Sequence, residues 1–153
     1  MMKHINELNE ELNKFLEPFG VYAKYGSDFF FYWEDNHIEY SFLTCERMDK
    51  LFHKFAVEEL GLNYNVDTFI LSFLHELGHS ETLDEIDAED EIYSADIKET
   101  LTDSDEDCMT YFRLPVEIAA TQWAVDYINE HPTEIRNFWS TIQPIIMKIY
   151  EEV

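Results

Sequence analysis

From Phe69 to Leu77 the chain reads FILSFLHEL, six large apolar residues in nine positions. A helix that is apolar on nearly every side cannot lie on a surface, so this segment has to be buried and the remaining chain has to cover it. The helix is expected to begin near Asn65 or Asp67, within NVDTFILSFLHELGHSETL. With 153 residues, 46% of them hydrophobic, the chain can build such a cover without disulfides.

The rest of the sequence supplies mostly helices. Ile5, Leu8, Leu12, Phe15, Leu16 and Phe19 recur at helical spacing, and Pro18 with Gly20 ends that helix. VYAKYGSDFFFYWEDNHIEYSFL has aromatic and β-branched runs around a polar EDNH, which predicts a β-hairpin with His37 in its turn. Residues 21–25 can add a third strand. TCERMDKLFHKFAVEELG predicts a helix with Thr44 as N-cap and Gly61 as C-cap. Residues 81–107 hold thirteen acids and one base, Lys98, and fit either an acidic loop or a short surface helix. LPVEIAATQWAVDYINEHP is helical, with Pro115 in its first turn and Pro132 past its end. TEIRNFWSTIQPIIMKIYEEV is helical with a kink expected at Pro144. The expectation is one α+β domain over residues 1–153, mostly helical, with a small antiparallel-containing sheet packed by the apolar helix and an acidic insertion at about 81–107.

Charge narrows the function. Thirty-three acids against ten Lys and Arg give a formal net charge of −23, which repels phosphate backbones and argues against direct nucleic-acid binding. A solvated surface, a binder of basic partners or a mimic of nucleic-acid charge remain. No run reaches the roughly 20 apolar residues that span a bilayer. Cys45 and Cys108 form no CxxC pair, and the N-terminus lacks a signal-peptide core. These features predict a cytoplasmic protein with no membrane role. The acidic DSDEDC, Asp103–Cys108, has Cys at the sixth position where a calcium loop needs Gly, and reads as a solvated loop.

The apolar helix carries HELGH, His75 to His79. Shuffling this composition yields some HExxH in about 3% of cases, so the motif alone stays a hypothesis. Its position strengthens it. Residues four apart share a helix face, so His75 and His79 can offer both imidazoles to one zinc ion. Glu76 points about 100° away, where its carboxylate can act as general base. Buried histidines without partners are costly, and metal ligation satisfies them. A catalytic zinc needs a third protein ligand. Thr82 and Glu85 stand where a metzincin needs Gly and His. Glu117, in the first turn of its helix and flanked by Ala119, Ala120 and Ala124, is favoured over Asp84, Asp87 and Asp126.

HELGH followed by EIAATQWA resembles the ImmA/IrrE family of gluzincin-type zinc metallopeptidases. Their pattern has Ala three, an aromatic six and Ala seven residues after the Glu, here Ala120, Trp123 and Ala124 after Glu117. The resemblance spans about residues 66–130. It implies a zincin-like fold, one zinc per chain and hydrolysis of a peptide or protein substrate, with a DNA-binding regulator as a plausible target. A phage or prophage origin suits it. The family usually has Asn or Asp at the position of Thr121, which supports the ligands, and zincins prefer an apolar residue where Glu81 stands. Tyr111, Tyr127 and His131 are candidates for stabilising the oxyanion, and residues 38–43 for an edge strand that aligns the peptide. Two other readings stay open: a non-enzymatic acidic interaction protein that mimics DNA charge, and a zincin that keeps its metal without turnover.

Overall fold

The computed structural model describes residues 1–42 and 45–152. The protein is α+β and mostly helical, with seven α-helices and a three-stranded mixed sheet among the described residues. Two compact units emerge, Met1–Leu43 with His131–Val153, and Thr44–Glu130.

The first unit joins the two ends of the chain. Helix α1, Met2–Leu16, buries Ile5, Leu8, Leu12 and Leu16 along one stripe. It packs on α7, Pro132–Glu151, which buries Ile135, Phe138, Ile142, Ile146 and Ile149. Phe15 stacks on Phe138 at 4.2 Å between centroids. The helix α7 runs through Pro144, which lies inside it. After α1 a 3-10 turn over Glu17–Phe19 ends at Gly20, whose φ of 70° is the left-handed conformation that glycine adopts without strain.

Strands β1 (Tyr22–Tyr25), β2 (Phe30–Tyr32) and β3 (His37–Tyr40) form a sheet in the order β1-β3-β2. β2 and β3 make the expected hairpin, with Asn36 at φ 53° closing the turn. His37 is the first residue of β3 and not part of the turn; its Nδ1 lies 2.5 Å from Asp35. β1 joins β3 in parallel. Ala23, Phe31 and Ile38 face inward. The helix packed on the sheet in this unit is α1, whose Asn13 side chain both accepts from and donates to the Ala23 backbone, at 2.7 and 3.4 Å. The strand expected to present an open edge over 38–43 is instead the central strand, hydrogen-bonded on both sides. Residue 43 lies outside the described residues. So does Thr44, the expected N-cap of the next helix.

The second unit contains α2 (Glu46–Leu60), α3 (Thr68–Thr82), α4 (Ala88–Lys98), α5 (Asp105–Phe112) and α6 (Pro115–Glu130). Gly61, at φ 82°, ends α2 as its sequence suggests. Asp67 caps α3 by accepting from the Phe69 N–H. α3 is the buried helix, enclosing Ile70, Leu71, Phe73, Leu74 and Leu77. Its main partner is α6. Gly78 lets the two backbones meet: a Cβ there would lie 2.2 Å from the Ala120 carbonyl oxygen.

The acidic stretch is ordered into helices, whose starts are capped by its own side chains. Asp87 accepts from Asp90 N–H to start α4, and Ser104 accepts from Asp107 N–H to start α5. Asp107 in turn accepts from the Thr102 N–H and hydroxyl, at 2.7 and 2.6 Å. Acids in the first turn of each helix also suit the positive end of its dipole. α5 packs on α2 through Phe55, Cys108 and Phe112, and Arg113 pairs in a fork with Glu59 at 2.9 and 2.7 Å. Cys108 is buried, whereas Cys45 is exposed, and both are free thiols. Among the described residues no helix is long and apolar enough to cross a membrane.

Replacing Gly78 by Ala forces α3 and α6 apart, because the atom it meets belongs to backbone. We expect a loss of about 1–3 kcal/mol in urea unfolding. An unchanged midpoint would show that this approach does not set the helix spacing.

Candidate metal centre

The α3–α6 contact brings HELGH to the first turn of α6. His75 and His79 project from adjacent turns of α3, their rings 4.7 Å apart and nearly perpendicular. Glu117 stands between them. Its Oε1 is 3.2 Å from His75 Nε2 and its Oε2 is 3.3 Å from His79 Nε2. One donor atom from each residue lies within 4.8 Å of the others. Ligands about 2.0–2.1 Å from a tetrahedral zinc are themselves about 3.3 Å apart, a separation that each imidazole has from one oxygen of Glu117, though not from the same oxygen. Glu117 is only 2% exposed, and the N-terminal end of α6 favours its negative charge.

Thr121, one turn after Glu117, fixes the orientation of His75. Its hydroxyl donates to the Glu117 carbonyl oxygen at 3.0 Å. Having spent its only proton there, the oxygen accepts from His75 Nδ1–H at 2.8 Å. Nε2 is thereby left to face Glu117. Phe52 packs its ring edge-on to His75 at 5.5 Å. Glu76 is buried on the same helix, its carboxylate 4.0 Å from His75 Nε2, beside the ligand group rather than within it.

The charges of the site are strongly coupled. Burial lowers the His75 pKa, but the Glu117 hydrogen bond and the charges of Glu76 and Glu117 outweigh it, and the net shift is upward. Burial works to raise the Glu117 pKa, yet its hydrogen bonds to His75 and His79 drive it far below the usual carboxylate range. Glu117 is therefore an ionised, buried carboxylate that needs positive charge around it. Protons on the imidazoles can supply that charge, and so can a divalent metal that replaces them.

A cation absent from the sequence-derived site also meets Glu117. Lys98, the last residue of α4, places Nζ 3.1 Å from Glu117 Oε2 and 5.1 Å above the Tyr111 ring. The only sequence signal was its isolation as the single base among thirteen acids in residues 81–107.

The other candidates are dispersed. Asp84 is exposed in the 3-10 turn Leu83–Glu85, Asp87 caps α4, and Asp126 accepts from Gln122 at 2.9 Å. None of them belongs to the His75–His79–Glu117 group. Tyr111 reaches the site's surroundings through Lys98, while Tyr127 stacks on Trp123 at 5.2 Å. His131 falls in the other unit, with Nδ1 3.7 Å from Glu134. Glu81 is exposed on the last turn of α3. Compared with family models, curated proteins and solved structures, the chain matches none.

The Thr121 hydroxyl can be tested directly. Thr121→Val keeps the volume but cannot hold His75 Nδ1–H, and zinc affinity is expected to fall about tenfold while Thr121→Ser retains it. Competition against a chromophoric chelator reads the difference. Equal affinities would mean that the hydroxyl does not orient the ligand.

Proposed function

We propose that the protein is a zinc-dependent metallopeptidase of the ImmA/IrrE-like, gluzincin type. The observation that carries the reading is the meeting of His75, His79 and Glu117 around one point, with Glu76 beside them. Two neutral imidazoles and one carboxylate are the donor set of catalytic zinc, and a fourth position stays open for chemistry. Bound there, zinc would supply Lewis-acid chemistry, making water more acidic and polarising a carbonyl.

The chain's own residues take the remaining roles. Glu76 removes a proton from the attacking water and returns it to the leaving amine. Thr121 holds the His75 ring in its ligating orientation. Phe52 and the apolar flank of α3 exclude bulk water, which strengthens the electrostatic interactions within. Of the oxyanion candidates, Tyr111 keeps a link to the site, through Lys98.

The net charge of −23 supports a basic substrate, since long-range attraction accelerates encounter with a positively charged protein such as a DNA-binding regulator. Two free thiols suit a reducing, cytoplasmic setting. The charge-mimic reading has one supporting observation, the ordered acids at the starts of α4 and α5. It requires binding to a basic partner that survives His75→Ala.

Elemental mass spectrometry of the purified protein is expected to find about one zinc per chain, with little left in Glu117→Ala. Glu76→Gln should retain the metal and lower cleavage of a substrate, sought among basic DNA-binding proteins, by about 10²–10⁴-fold. Absence of zinc after re-metallation would overturn the reading. Full cleavage by Glu76→Gln would remove the assigned base.

A further inference from the structure

Lys98 belongs to the acidic insertion, yet it is the residue of that segment that reaches the buried carboxylate. We propose that Lys98 competes with a metal ion for Glu117, and that a metal ion must displace its ammonium from Oε2. This rests on the metal-binding reading above and adds a positioning residue that sets the site's affinity and couples it to α4.

Three observations converge. Glu117 Oε2 is shared between His79 Nε2 at 3.3 Å and Lys98 Nζ at 3.1 Å, so the ammonium competes for an oxygen that faces the ligand group. A divalent ion on the same carboxylate lies within a few ångströms of that ammonium, and like charges at such range in a largely buried site repel strongly. Furthermore, α4 is lightly held. Ser94 is the only buried residue on it, while Ile92 and Tyr93 are largely exposed. The Lys98–Glu117 pair is a polar link from the end of α4 to α6. Few apolar contacts resist its release when a stronger cation arrives.

The Lys98 ammonium neutralises a carboxylate that burial would otherwise make costly. Metal binding transfers that role to the dication. The ammonium then swings away, and the last turns of α4 loosen with it. Metal occupancy and α4 docking are thus linked, and each weakens the other to the same extent.

The test uses zinc ion alone, with affinities measured by chelator competition for the full-length wild type, Lys98→Met and Lys98→Arg. Removing the charge while keeping the stem should tighten zinc binding about tenfold or more, whereas Lys98→Arg should stay close to wild type. Hydrogen exchange of the wild type gives a second readout that needs no variant: amides of 88–98 should exchange faster with zinc bound. Unchanged or weaker binding by Lys98→Met, or unchanged or slower exchange in α4, overturns the proposal while leaving the metal site intact. No zinc binding by the wild type overturns the metal reading and this proposal together.

Discussion

The backbone contact between Gly78 and Ala120 is the constraint on which the site depends. HELGH and Glu117 are 38 residues apart in sequence, and nothing local relates them. They meet because α3 and α6 approach until a carbonyl oxygen occupies the place of a missing side chain. Gly78 lies inside the motif, between His75 and His79, so the residue that permits the approach is carried by the helix that supplies both imidazoles. Glycine within a helix costs about 1 kcal/mol relative to alanine. Here that cost is offset by packing that a larger residue would prevent.

Close approach creates an electrostatic demand. Glu117 is ionised, almost wholly buried, and surrounded by donors: two imidazoles, one ammonium and the end of its own helix. A carboxylate in such a place is stable only with charge to balance it. The arrangement favours a cation in the space among these groups. It also explains why His75 is held through Nδ1 by a hydroxyl, since a ring free to turn would present its two nitrogens indifferently.

The acidic stretch has more structure than its composition suggests. Asp87 caps α4, the Ser104 hydroxyl caps α5, and carboxylates line both first turns, where helix dipoles favour them. A composition-based reading cannot separate this from a solvated loop, because exposed acids look alike until their hydrogen-bond partners are known. The same applies to Lys98. One base among thirteen acids most simply reads as a surface counter-charge, and only the packing of α4 on α6 brings it to Glu117.

Sequence by itself determined most of the elements and the local half of the site. Apolar spacing, caps and prolines located α1, α2, α3, α6, α7 and the hairpin, but not α4 and α5. A four-residue helical period is enough to align His75 with His79, since that geometry is internal to one helix. Glu117 could be favoured over its rivals but not joined to them, because ligation across helices depends on their spacing. Tertiary structure decided the remainder. It brought Glu117 between the imidazoles, turned Thr121 toward His75, enclosed the expected edge strand between two neighbours, and put Lys98 on the Glu117 carboxylate. Each of these depends on where distant backbone segments come to rest, and periodicity along a chain carries no record of that.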